Sequence, residues 1–409
     1  MVKPDAGILA FIATNNWVTN FGAKKFREKI TREARIEQLI DFGNYKVFRD
    51  AAIQTMILIA RKSKEKQQYQ FDYRRLMGSK PVFAGAEALL QRTIGVGSEY
   101  LTPVFDRSRI PSAPLTFSDS ALEGVLEKIS SRGNFQLDGP TEVAQGIVTP
   151  QDNLNAAGCR KLGNKIRVGT GIFIITTEEK NALNLSTPEG ELLKPFYGTT
   201  ELGRYFGSQA NTHWIIYTDS SFKKRARIVP YPAIKRHLDQ FRKVITSHNG
   251  PYGLHRAREE HFFLGQKVIA LRKCAEPSFT YTDFPCYVSQ THNVIQTDRI
   301  NLLYLTGLLN SRLIRFWLKH RGKMQGNHFQ VDKEPILAIP IYAPALPDQL
   351  RVVNLVQRII DCLSRMSSAR SSAEREQLSR LMSQYEGEMQ DIIENLYGLS
   401  DEERKMILS

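Results

Sequence analysis

Only four of the 409 residues are cysteine, and Cys159, Cys274, Cys286 and Cys362 stand too far apart to form a C-x-x-C pair. That spacing argues against a disulfide framework or a cysteine zinc site, and it fits a reduced cytoplasm as the expected location. No apolar run reaches the ~20 residues that a membrane-spanning helix needs. The N-terminal apolar stretch, 7–14, is only strand-length and lacks the layout of a signal peptide. The expected partners therefore include no membrane. His213 and His255 have no metal-ligand spacing around them. Glu178-Glu179-Lys180 has the E-x-K ending of a metal-dependent nuclease motif, but no strand-borne aspartate precedes it. It reads instead as the acidic first turn of a helix capped by Thr176 or Thr177, so no metal site is expected.

Negative charge is also in short supply: 56 Lys and Arg face 42 Asp and Glu, a net of +14. The imbalance is local. From Asp348 onward there are 8 basic and 11 acidic residues, a net of −3, which leaves +17 for the residues before it. A polyanion-facing surface is expected upstream of this tail, and nucleic acid is the natural partner for such a charge.

The opening alternates strand and helix signals. Residues 7–14 form a continuous apolar run, the pattern of a strand buried on both faces with strand neighbours on either side. Thr19 or Asn20 is placed to cap a following helix. Strands are expected over 36–42 and 53–60, and the loop between them makes these an antiparallel pair. The stretch 62–68 is polar and linker-like, 69–117 is mixed, and 122–130 reads as a short helix. Between 143 and 341, short strands (172–175, 214–217, 268–271) alternate with helices (233–245, 302–318), an α+β pattern. In the tail, Val352, Val356, Ile359, Leu363 and Met366 recur at helical spacing. Leu378, Met382, Tyr385, Met389, Ile392 and Leu396 do the same, and together they predict a helical hairpin.

Several stretches carry a family resemblance. Gly7-Ile8-Leu9-Ala10-Phe11-Ile12-Ala13-Thr14 with Lys24-Lys25-Phe26-Arg27, then Leu39-Ile40-Asp41-Phe42, Lys46-Val47-Phe48 and Ile53-Gln54-Thr55-Met56-Ile57-Leu58, resemble the closing part of adenine-N6 DNA methyltransferases. Further on, Val143 to Thr149, Leu193 to Gly198, Trp214 to Tyr217, Tyr231 to Ile234, Leu308 to Ser311, Ile339 to Ile341 and Leu396 to Glu403 are similar, in that order, to the TaqI-like C-terminal specificity domain found in type II and IIG restriction-modification enzymes. Pro150 departs from that pattern, which usually has glycine there.

The resemblance implies an α/β plus α+β fold in four parts. These are a partial Rossmann-like methyltransferase sheet (1–66), a connecting region (67–130), an α+β DNA target-recognition domain (131–345) and a C-terminal helical hairpin (346–409). It implies S-adenosylmethionine as cofactor of the complete enzyme. None is expected for this chain alone, because the family's Asp/Asn-Pro-Pro-Tyr/Phe motif and a glycine loop leading into a helix are both missing. Gly169-Thr170-Gly171 has the spacing, but an apolar strand pattern follows it.

The implied partners are double-stranded DNA and an N-terminal methyltransferase half, fused or in trans. From position alone Phe48 reads rather as a phenylalanine buried in a hairpin; the resemblance makes it the family's aromatic that stacks on the flipped adenine. DNA contacts are expected from Lys223, Lys224, Arg225, Arg227, Arg256, Arg258 and Arg272, and from Arg321, Lys323, Gln325 and Asn327, whose side chains suit phosphates or base edges. A rival is a non-catalytic DNA specificity subunit that works with a separate methyltransferase. Such a subunit does not need the stretch 5–61.

Overall fold

The computed structural model describes all residues except 1–2, 4–6, 19–20, 49, 52, 64–67, 79–80, 106, 108–119, 326–327 and 409. The proposed helix caps Thr19 and Asn20 lie outside the described residues. The chain is a mixed α/β protein with several small sheets.

The first sheet has five strands, in the order Ile8–Thr14, Thr55–Lys62, Ala34–Asp41, Asp72–Leu76 and Ser98–Leu101. The 34–41 and 55–62 strands are antiparallel, as their connecting loop predicts, with a bulge between Ile36 and Gln38. The helix Lys24–Glu33 precedes them. One expectation fails. The 8–14 strand is not buried on both faces between two neighbours; it is an edge strand, antiparallel to 55–62 only. Ile8 is 58% exposed and Phe11 49%, because among the described residues one strand partner and little else lies against them. The unreadable stretch after residue 68 holds the 72–76 and 98–101 strands and the helix Phe83–Gln91. Beneath this sheet Trp17, Ile36, Leu39 and Leu58 share a core with Tyr69, Phe71, Tyr73 and Phe105.

A second five-stranded sheet organises the rest. Its order is Tyr205–Phe206, Phe279–Thr282, Lys267–Leu271, His292–Ile295, Val143–Gln145. Along the 267–271 strand, Val268 and Ala270 enter one core and Ile269 enters another, as the two-residue period of a strand requires. The sheet is therefore a partition between two cores, which explains why residues 268–271 of this strand are all apolar. On one side lie the four-stranded sheet Tyr287–Val288, Leu193–Tyr197, His213–Ile216, Ile174–Thr176 and the helix Pro232–Gln240. On the other lie the helices Ser120–Arg132, Leu302–Leu309, Arg312–Arg321, Leu346–Ser368 and Ser372–Leu396. The last two are joined by residues 369–371 and pack together.

The sequence pattern over 302–318 reads as one helix, whereas the chain makes two. Asn310 breaks the run by bonding the neighbouring strand: its Nδ2 donates to the Phe279 carbonyl (2.7 Å) and its Oδ1 accepts from the Phe279 N–H (3.1 Å). Ser311 then caps the second helix, its hydroxyl accepting from the Ile314 N–H (3.2 Å). The terminal motif is anchored as well. The buried Tyr397 hydroxyl donates to the Pro340 carbonyl (2.6 Å) and accepts from the Tyr342 N–H (3.0 Å).

Burial within this partition has a consequence in acid. His292 is 2% exposed, and desolvation pushes its imidazole down from 6.5 to about 4. The folded chain keeps it neutral while the unfolded chain protonates it. Its contribution is therefore complete above about pH 6.5 and is lost as pH falls toward 4, a change of about 3 kcal/mol. His292→Gln removes this term. In acid unfolding curves, the variant is expected to lose about that much less stability than wild type between pH 6.5 and 4; parallel curves would refute the assignment.

Candidate nucleic-acid interface

Two adjoining cavities, of about 600 and 670 Å³, form a groove at the rim of the second five-stranded sheet. They meet at Arg272 and Asp332, which line both. The first is lined further by Gln145, Arg256, Arg258, Glu259, Asn293 and Glu334, the second by Thr199, Lys273, Gln290, Thr291 and Gln330.

Local structure fixes these side chains. Gly146 sits where an added Cβ would lie 2.1 Å from the Ser289 carbonyl oxygen, so only glycine lets the chain pass there. Arg258 adopts the left-handed conformation (φ 69°). Its carbonyl accepts from the Tyr217 hydroxyl (3.0 Å), its Nη2 donates to Gln145 Oε1 (2.9 Å) and its Nε to the Gly146 carbonyl (3.3 Å). Burial first, and then the charge of Arg256, lower its pKa. Across the groove, Arg272 donates through Nε and Nη2 to Asp332 Oδ1 (2.9 and 2.7 Å) and through Nη1 to the Gln290 carbonyl (2.7 Å). Lys323 Nζ reaches Asp332 Oδ2 at 3.1 Å. Burial alone pushes the Asp332 carboxyl up. The hydrogen bonds from Arg272 and Lys323 more than offset this, holding it below the usual carboxylate range.

The residues expected to contact DNA divide into groups. Arg256, Arg258 and Arg272 line the groove. Lys323 is tied to it through Asp332, and Gln325 through Gln330, whose Nε2 donates to Gln325 Oε1 (2.6 Å). Gln325 and Gln330 lie on a three-stranded sheet, Lys273–Cys274, His328–Gln330, Met324–Gln325. Lys223, Lys224, Arg225 and Arg227 line neither cavity. They are exposed on two successive 3-10 turns, Ser220–Lys223 and Arg225–Ile228, that Phe222 and Ile228 pin to the core. Arg321 is ion-paired with Glu123 of the 120–132 helix. Asn327 lies outside the described residues. Gln145, Asn293, Gln290, Thr291 and Asp332 were missed as site residues. They come from separate parts of the chain and no local motif joins them.

Phe48 stands elsewhere, in the loop between the 34–41 and 55–62 strands, and is 47% exposed. Its ring is thus about half exposed rather than buried in the hairpin. Neighbouring Tyr45 and Val47 do pack, against Ile40, Phe42 and Leu76. The ends of the loop are clamped by polar contacts. Asp41 Oδ1 accepts from the Gly43 N–H (2.9 Å), Gln54 Nε2 donates to Asn44 Oδ1 (2.8 Å), and the Asn15 N–H donates to the Gln54 carbonyl (3.0 Å).

The E-x-K stretch has a structural role. Glu179 closes a capping box with Thr176 and also accepts from the Gly171 N–H (2.9 Å), while Lys180 lies over the Trp214 ring. Among the described residues no group of three or more His, Cys, Asp or Glu is arranged to hold a metal. Gly169 and Gly171 precede the 174–176 strand, and Gly95 and Gly97 the 98–101 strand, so neither pair makes a phosphate-cradling turn into a helix. No helix among the described residues is long and apolar enough to cross a membrane.

Comparison with known proteins places these features. Residues 1–48 match the Eco57I restriction-modification methylase family, and residues 206–341 match the TaqI-like C-terminal specificity domain. The resemblance to restriction-modification methylases with a TaqI-like specificity domain holds. No curated protein matches. Among solved structures, the type IIL restriction-modification enzyme MmeI in complex with DNA aligns with a TM-score of 0.59 at 11% identity. That alignment covers 98% of this chain and 48% of MmeI, and at this identity it shows a shared fold. The type IIG restriction endonuclease BpuSI aligns over 96% of this chain and 48% of its own at 14% identity, but its TM-score of 0.33 is too low to carry an argument. The chain thus spans about half the length of each of these two structures. The TaqI-like match contains Arg256, Arg258, Arg272, Lys323 and Gln325, the groove-side residues, as well as the 223–227 run.

Proposed function

We propose that this chain is the sequence-specific DNA-recognition portion of an S-adenosylmethionine-dependent adenine-N6 DNA methyltransferase of a type II or IIG restriction-modification system. The observation that carries the reading is the groove, where Arg256, Arg258, Arg272, Gln290, Asn293 and Gln330, all inside the TaqI-like match, converge with Gln145. Such side chains read base edges, and the surrounding excess of positive charge draws in the duplex.

In this reading the 8–62 strands close a Rossmann-like methyltransferase sheet, residues 131–345 read DNA, and the last two long helices form a C-terminal hairpin that braces the reader. Exposed Phe48 stacks on the adenine once it has left the helix. S-adenosylmethionine supplies the methyl group in the complete enzyme, held by an N-terminal methyltransferase half that is fused or acts in trans.

The test is reconstitution. The chain is combined with such a half, S-adenosylmethionine and mixed duplexes, and the methylated base is mapped. N6-methyladenine at one recurring sequence is expected. Methylation of cytosine, or none in any duplex, would overturn the reading.

A further inference from the structure

Three arginines line the first cavity, and two of them are committed to the protein. Arg258 donates to Gln145 and to the Gly146 carbonyl, and Arg272 to Asp332 and the Gln290 carbonyl. Arg256 differs. Its backbone is fixed, because its N–H donates to the Val148 carbonyl (3.1 Å) and its carbonyl accepts from the Val148 N–H (3.0 Å). Its side chain is exposed at the cavity and has no hydrogen-bond or ion-pair partner among the described residues. The guanidinium is therefore available to a ligand from a fixed backbone position, although its flexible stem must still be ordered when it binds.

The surrounding groups indicate which part of a duplex it meets. Glu259, Glu334 and Asp332 line the same cavity, with Gln145 and Asn293 between them. Asp332 is neutralised by Arg272 and Lys323, but no such pair holds Glu334 among the described residues, and Glu259 meets only the His261 ring (3.5 Å). Lys333 lines the cavity too, so four cations face three carboxylates, but Glu259 and Glu334, which no Lys or Arg pairs among the described residues, disfavour a phosphate placed beside them. A base edge offers donors as well as acceptors and tolerates them, since a carboxylate accepts from the cytosine amino group. The cavity has the composition of a base reader. The exposed Lys223, Lys224, Arg225 and Arg227 run has that of a phosphate contact.

We infer that Arg256 reads one guanine, donating its guanidinium fork to O6 and N7, while Arg258 and Arg272 hold the shape of the groove. This rests on the duplex-recognition reading above.

The experiment compares the wild-type chain with Arg256→Ala and Arg256→Lys. Each is used to select duplexes from a random library, and each is then titrated on the selected duplex at several salt concentrations. Wild type is expected to enrich a motif containing a guanine. Both variants should lose discrimination at that one position by on the order of 10- to 100-fold while keeping the rest of the motif. Lysine should fail as alanine does, because a point charge cannot replace a fork. Binding to unrelated duplex and the salt slope should be unchanged. An unchanged motif with uniformly weaker binding, a slope smaller by about one and rescue by lysine would make Arg256 a phosphate contact and overturn the inference. Variants indistinguishable from wild type would overturn it too. If wild type itself enriches no motif, the duplex-recognition reading fails, and this inference falls with it.

Discussion

Phe48→Ala, introduced into the complete enzyme, is expected to lower methylation by about 10- to 100-fold, the scale set by losing one base–aromatic stack. The fold should hardly notice. Phe48 is 47% exposed, and its neighbours Tyr45 and Val47 make the packing contacts of this loop, so the change in stability should stay within about 0.5 kcal/mol. Duplex affinity should also persist, because stacking follows extrusion of the base and the groove residues lie in a different part of the molecule. Methylation assays run beside melting curves and binding titrations separate the possibilities. An unfolded variant would mean that Phe48 is structural. Full activity would remove it from the reaction.

The loop that carries Phe48 is tied at its two ends. Its two ends are fixed by Asp41, Asn44 and Gln54, and Asp41 lies deep enough that burial raises its pKa, with the Gly43 N–H and Asn15 opposing that rise.

How much of this was legible in the sequence varied with the range of the interactions. The antiparallel 34–41 and 55–62 pair was readable because two apolar runs and one loop suffice to define it. Strand identity was also readable over 8–14, but burial was not: an apolar run reports what could be covered, and here one neighbour covers part of it. The strands after residue 68 are two to five residues long, too short for a period to show. Over 302–321 the helical period continued across a break made by one side chain, Asn310, bonding to a distant strand.

The interface divided in the same way. Basic residues were easy to find, yet their availability depends on partners far away in the chain. Arg321 is held by Glu123, and Arg312, in the same basic stretch, by buried Glu394. The groove itself gathers Gln145, Arg256, Arg272, Asn293 and Asp332, and only the fold brings them together.

Duplex binding by this chain across salt concentration tests the central claim most directly. The residues before the acidic tail carry +17, and the structure leaves Lys223, Lys224, Arg225 and Arg227 exposed while Arg256, Arg258 and Arg272 line the groove. If the chain makes even six phosphate contacts, affinity should fall about 10³-fold between 50 and 200 mM salt, because each contact releases condensed counterions. Tight binding at low salt with this steep decline is the predicted result. Equal affinity at both concentrations, or no binding at 50 mM, would contradict the assignment of this chain to DNA recognition.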